Sequence, residues 1–181
     1  MSIPDTKKTK ADAKGAGQFI IENLIIPGGK YLEVGVFRGM TLTQIVDNTN
    51  MIVTGVDRWK VVSKEIYDDH NVNTHDLPYF YYWLQTHYGN RCRLIRDSSD
   101  EAAKRFKSVG EKFDVIFIDG DHTYEGVRKD LALYWPLLKD KGIFSGHDYQ
   151  IASVKKAVDE FAKKHGLRIQ QGPCSIWWIN T

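Results

Sequence analysis

The run from Phe113 to Tyr149, FDVIFIDGDHTYEGVRKDLALYWPLLKDKGIFSGHDY, constrains this chain more than any other stretch. Asp114 to Ile118 is a short apolar run, as expected of a strand buried on both faces. It stops at Asp119-Gly120-Asp121-His122, which puts two carboxylates and an imidazole on one loop. Val127, Leu131, Trp135 and Leu138 then keep a helical period. Lys141-Gly142 turns the chain into a second strand, Ile143 to Ser145, which ends at Gly146-His147-Asp148. A strand–helix–strand unit of this kind has parallel strands and a right-handed crossover, so both C-terminal ends open on the same edge. Asp119, Asp121, His122, His147 and Asp148 are therefore expected to converge on one crevice.

The remainder of the chain supplies more of that edge. Tyr31 to Val34 reads as the first strand, and Gly35-Val-Phe-Arg-Gly39 leads from it into a helical pattern at Leu42, Ile45 and Val46. Glycines at such a turn let backbone approach a ligand, and the helix N-terminus offers donors and partial positive charge. The spacing is not the G-x-G-x-x-G of dinucleotide binders. Met51 to Val56 is a second strand closed by Asp57, placed either to accept from ribose hydroxyls or to cap the next helix. Arg91 to Arg96 is a third strand. Asp97 ends it, and Ser98 with Glu101 forms a capping box. Asp97 is placed to accept from an adenine amino group or to help the helix start.

Residues 1–17, rich in Lys and Asp, read as a flexible leader, and 18–181 as a single domain, starting with a short helix from Gln18 to Ile26. Asp76 as N-cap and Pro78 in the first turn predict a helix with Leu77, Phe80, Tyr81, Leu84 and Tyr88 on one stripe. The aromatics off that stripe, Tyr79, Tyr82 and Trp83, suit a surface, a partner interface such as that of a homo-oligomer, or an acceptor wall. Val154 to Ala162 is an amphipathic helix stopped by Gly166. Leu167 to Gln170 and Ser175 to Asn180 read as a closing antiparallel pair in which Trp177 and Trp178 face opposite sides. Strands alternating with helices, with acids at the strand ends, define an α/β doubly wound sheet.

A net charge of +2 gives no footprint for nucleic acid. The apolar runs are strand-sized, so no membrane span or signal peptide is expected. Two cysteines make neither a disulfide framework nor a zinc motif, and a reduced, cytoplasmic setting fits. From the residues alone, Asp119, His147 and Asp148 offer hard oxygen and imidazole ligands suited to Mg2+ or Mn2+. His122 or Asp121 is the candidate base, His122 because an imidazole titrates near about 6.5.

Taken in order, Glu33-Val-Gly-Val-Phe-Arg-Gly39, Asp57, Asp97-Ser98 and Asp119-Gly-Asp-His-Thr-Tyr-Glu125 resemble a class I S-adenosylmethionine-dependent methyltransferase. The central run resembles the small group related to macrocin-type sugar O-methyltransferases and cephalosporin-hydroxylase-like proteins. The resemblance implies a seven-stranded Rossmann-like sheet, mostly parallel with a C-terminal antiparallel hairpin. It implies that Glu33 and Gly35 lie beside the methionine part of the cofactor and the turn beneath it, that Gly39 lets the following helix approach, and that Asp57 lies at the ribose and Asp97 with Ser98 at the adenine. Asp119 would border the cofactor and, with His147 and Asp148, hold a divalent cation. The catechol-type relatives carry a lysine base at the place of His122 and an Asp-Asn pair where this chain has His147-Asp148. The expected activity is O-methylation of a small hydroxylated acceptor, a sugar or a phenol. Cofactor binding without turnover is the main alternative, and a nicotinamide oxidoreductase a more distant one.

Overall fold

The computed structural model describes residues 10–60 and 77–181. Five strands run parallel: β1 (Lys30–Val34), β2 (Ile52–Asp57), β3 (Cys92–Arg96), β4 (Phe113–Ile118) and β5 (Leu138–Gly146). Two more, β6 (Gln170–Gln171) and β7 (Trp177–Asn180), close the sheet antiparallel, in the order β3-β2-β1-β4-β5-β7-β6. The doubly wound sheet with its terminal hairpin is thus observed.

The strands are apolar on both sides because each side carries a helical layer. In β1 Leu32 and Val34 face one core cluster and Tyr31 the other, the alternation a pleated strand imposes. Trp177 is buried on the first side while Trp178 packs on the second. The second layer holds α1 (Lys10–Asn23), α2 (Met40–Asn48) and α3 (Leu77–Tyr88). The first holds α4 (Ser99–Ser108), α5 (Tyr124–Tyr134) and α6 (Ala152–His165).

Several boundaries differ from the sequence expectation. α1 begins at Lys10, eight residues ahead of Gln18, so part of the expected leader is helix. Its small residues explain this: Ala16 is buried, and a Cβ on Gly15 or Gly17 would lie within 3 Å of Cys174 or Gln44. Close approach, rather than apolar periodicity, holds this turn. β5 starts at Leu138 rather than Ile143, because Lys141 at φ 62° lets the chain bulge while pairing with β4 continues. α5 stops at Tyr134, and Trp135–Leu137 forms a 3-10 turn into β5. In α3, Phe80 and Leu84 are buried, Tyr81 and Tyr88 partly so, and Tyr79 and Tyr82 are exposed. Trp83, expected off the stripe, packs against the core edge and stacks on His87. Asp76 lies outside the described residues. Among them, no helix is long and apolar enough to cross a membrane.

Register fixes where the site must lie. Val34 pairs with both Val56 and Ile118, Asp57 with Arg96, and Ile118 with Gly146. All five parallel strands therefore end at one level. Backbone bonds carry the ladder a residue further: Gly35 N donates to Val56 O (2.9 Å), Asp97 N to Asp57 O (2.9 Å), Asp119 N to Val34 O (2.8 Å) and His147 N to Ile118 O (3.1 Å). The first residue of every site loop is held by the sheet itself.

Candidate active site

Gly35 is where the two halves of this edge touch. It sits at φ +92°, and a Cβ there would lie 2.1 Å from the carbonyl oxygen of Asp119. Only glycine permits β1 and β4 to end so close together. Gly39, at φ +78°, occupies the N-cap of α2 without a side-chain cap. Glu33 supplies what that helix lacks. Its carboxylate accepts from Leu42 N near the start of α2 and from the Tyr31 hydroxyl (3.1 Å), and it is almost wholly buried. Burial, then the charge of Asp119, pushes Glu33 well above the usual carboxylate range.

Asp57 closes β2 and grips the glycine turn. Its Oδ2 accepts from Phe37 N (2.8 Å) and its Oδ1 from Trp59 N (2.7 Å). The Trp59 indole N–H donates in turn to Phe37 O (2.8 Å). Burial raises the Asp57 carboxyl while the backbone donors oppose that shift. The backbone N–H groups of Val36 and Arg58 also favour its charged form. At the next strand end, Asp97 Oδ1 accepts from Ser98 N (2.8 Å) and its Oδ2 pairs with Arg105 (2.7 Å). Ser98 caps α4 by accepting from Glu101 N (3.4 Å). The reciprocal half of the expected capping box is absent, because Glu101 reaches Lys104 instead.

The acidic loop and the end of β5 meet beside this edge. Donor atoms of Asp119, His122 and Asp148 lie within 4.8 Å of one another. His122 Nε2 is 2.9 Å from Asp148 Oδ2 and 3.9 Å from Asp119 Oδ1. His147 Nδ1 is 3.2 Å from Asp148 Oδ1 and 3.7 Å from Asp119 Oδ1. Asp148, at φ +59°, is thus held between two imidazoles. His122 Nε2 is closed off from solvent, yet no acceptor lies in hydrogen-bond geometry about it. Behind these side chains a cavity of about 10 Å³ is lined by Ile118, Val127, Val154 and Trp177 as well as the loop, so the local medium is poor in water.

Asp121 does not join this group. Its Oδ1 accepts from Thr123 N (2.8 Å), and its carboxylate packs against Gly126 in the first turn of α5. Its local role is to organise that turn, where Thr123 Oγ1 caps by accepting from Gly126 N (3.1 Å). Ser153 on α6 fixes the neighbouring backbone by donating to His122 O (2.6 Å).

The charges result from this packing. Asp119 and Asp148 push His122 up to about 10. Burial opposes charge on His147, but the Asp148 bond and the Asp119 charge outweigh it and raise its pKa. Asp148 is lowered: burial works against its charge, and the two imidazoles overcome that. Burial raises Asp119, with His122 opposing. Two carboxylates and an imidazole at this spacing suit a hard divalent cation, which would replace the imidazolium as counter-charge.

A glycine turn, a β2-end acid and a β4–β5 acid cluster on one edge of this strand order are the parts of a class I S-adenosylmethionine-dependent methyltransferase domain. Residues 32–149, about two-thirds of the chain, match the family described as a methyltransferase domain. The chain belongs to that family. Uncharacterized protein R132 of Acanthamoeba polyphaga mimivirus is 28% identical over 137 residues, covering 72% of this chain and 58% of that protein. This chain therefore spans under two-thirds of that relative's length. The precorrin-6y C5,15-methyltransferase of Geobacter metallireducens superposes with a TM-score of 0.67 at 14% identity, covering 99% of this chain and 96% of that one. The O-methyltransferase NovP superposes at 0.63 and 17% identity, covering 96% and 79%. At these identities the structural likeness speaks for the fold.

Proposed function

We propose that this chain moves the methyl group of S-adenosylmethionine to a hydroxyl oxygen of a small molecule, with a divalent cation assisting. The observation that carries the reading is the meeting of Asp119, His122 and Asp148 beside the Gly35 turn and Asp57. In the transfer the carbon–sulfur bond breaks as the carbon–oxygen bond forms, the sulfur keeps the electron pair, and the hydroxyl proton must leave.

The residues divide that work. Asp57, oriented by two backbone donors, holds the ribose diol, and Asp97 with Ser98 borders the adenine. The backbone of the turn from Gly35 to Gly39 borders the methionine end, while the space beside the two glycines is taken by Asp119 and Leu84. Asp119 and Asp148 hold the cation, Mg2+ or Mn2+, with His122 as third ligand by distance. His147, the ligand expected from the sequence, has Nδ1 3.7 Å from Asp119 Oδ1 and 3.2 Å from Asp148 Oδ1 and lies within reach of the same ion. A cation held there supplies a lowered hydroxyl pKa and a fixed acceptor position. The site supplies proximity, which contributes several kcal/mol in well-aligned transfers.

The proton is where the two roles of His122 part. As base, Nε2 must first lose the proton that Asp119 and Asp148 hold on it, since His122 is pushed up to about 10. As ligand, Nε2 is engaged, and the proton leaves to water at the exposed side of the loop, where Asp121 stands. The approach of Asp148 to Nε2 favours the ligand role.

Labelled S-adenosylmethionine incubated with a panel of sugars and phenols, with and without chelator, tests the proposal. Label should appear as an acid-stable methyl ether, and both chelator and Asp148→Ala should abolish it. Transfer that survives both removes the cation from the mechanism. Tight cofactor binding with no transfer to any hydroxyl favours a binding protein without turnover.

A further inference from the structure

Asp130 is a buried acid that the proposed chemistry does not use. It lies on the inner face of α5, 4% exposed. No cation pairs with it among the described residues, and the adjacent Lys129 reaches out to Asp100 (3.1 Å) instead. An unpaired buried carboxyl is expensive to keep, so its hydrogen bonds must matter to something. A hydrogen bond leads from it to the adenine side of the site, and its free oxygen lies against the acidic loop in van der Waals contact. Its Oδ1 accepts from Ser99 Oγ (2.7 Å), immediately after the Asp97-Ser98 pair. One turn later on α5, the Tyr134 hydroxyl donates to Ser99 O (2.7 Å). Ser99 is therefore held at its side chain and at its backbone by a single helix. The other oxygen, Oδ2, faces the acidic loop, 3.6 Å from where a Cβ of Gly120 would sit. α5 itself begins directly after that loop, at Tyr124.

We propose that Asp130, with Tyr134, is a positioning residue that locks the adenine-side loop (Asp97–Ser99) to the acidic loop (Asp119–His122), so that the cofactor's two ends meet surfaces held at a fixed separation. The sheet fixes only the first residue of each loop. β3 and β4 are not neighbours in it, since β2 and β1 lie between them, and the link through α5 spans that gap. The inference rests on the S-adenosylmethionine reading for what binds there, but the coupling of the loops stands apart from it.

The test joins two measurements on the full chain: calorimetric binding of S-adenosylhomocysteine and hydrogen exchange of backbone amides. Asp130→Ala should weaken binding about tenfold or more and speed exchange at both 97–101 and 119–123. Ser99→Ala should do the same to a lesser degree, and the double variant should be no worse than Asp130→Ala alone. Asp130→Asn, which keeps an acceptor for Ser99, should restore most of the affinity, including where Asp130→Ala folds poorly. A residue that merely fills space would lower the melting temperature while leaving well-folded protein with unchanged affinity. If the wild type binds and the Asn and Ser99 variants bind and exchange like it, the inference is wrong. If the wild type does not bind the cofactor product, the functional reading fails. Exchange confined to one loop would then dispose of the coupling as well.

Discussion

Replacing Gly35 by alanine tests the closeness on which the whole site depends. The backbone there is at φ +92°, and a methyl would lie 2.1 Å from Asp119 O, 2.4 Å from its carbonyl carbon and 2.6 Å from Gly120 Cα. None of these atoms is a flexible side-chain end, so β1 and β4 must part. A non-glycine residue in left-handed space costs about 1–2 kcal/mol. Overpacking against fixed neighbours adds about 1–3 kcal/mol, for a sum of about 2–5 kcal/mol. In a domain of this size each kcal/mol lowers the melting temperature by about 2–4 °C, so a fall of about 5–20 °C is expected. Gly28 provides the control, since it sits at φ +71° with nothing within 4 Å of a Cβ. Gly28→Ala should therefore lose only the conformational part, about 1–2 kcal/mol. Because the displaced atoms belong to Asp119, Gly35→Ala should also weaken Mn2+ and S-adenosylhomocysteine, measured by calorimetry, while Gly28→Ala should not. Equal melting temperatures for the two variants, with binding intact in both, would refute this account of the site.

The charges and packing lead to three further outcomes. In the cation-free protein His122 is raised to about 10, so its imidazolium stabilises the fold fully below about 6.5 and that contribution is lost as pH rises through about 10. A cation that takes Nε2 must displace its proton, so Mn2+ titration near pH 8 in buffers of different ionisation enthalpy should show about one proton released; none released would mean His122 is not a ligand. Asp130 is raised to about 6 by burial, so the stability of its neutral form is full below about 4 and lost as pH rises through about 6. Asp130→Asn should therefore stabilise the protein at pH 7.5 by about 1–3 kcal/mol and make no gain at pH 4, as denaturant melts would show. Trp177→Ala empties a fully buried position whose indole N–H donates to His147 O (3.2 Å), and should cost about 3–5 kcal/mol. Trp178→Ala, on a half-buried face, should cost clearly less in the same melts.

The local elements were legible because each writes its own signal. Apolar runs marked β1, β2 and β4, and Ser98 and Gly166 capped their helices as expected. Where the signal depends on a distant partner it failed. The small residues of α1 look like a polar leader until α2 and Cys174 are seen packed against them. Lys141-Gly142 looks like the start of a strand, but it is a bulge inside one, since pairing with β4 carries on through it. Asp97 reads as placed for an adenine amino group or for the helix start, and the sequence gives no sign of Arg105, which pairs with one of its oxygens.

The Phe113–Tyr149 run shows the same division within a single site. Its residues alone predicted that Asp119, Asp121, His122, His147 and Asp148 would share an edge, because parallel strands joined by a right-handed crossover open their C-terminal ends together. They could not rank side chains within the Asp119–His122 loop, since neighbours on a loop differ in direction and not in address. The packed fold made that choice. The first turn of α5 drew Asp121 away to hold Thr123, and Ser153 fixed the His122 backbone. Asp148, at positive φ, was set between both imidazoles. Chain connectivity placed the groups together, and packing against α5 and α6 chose which of them face one another.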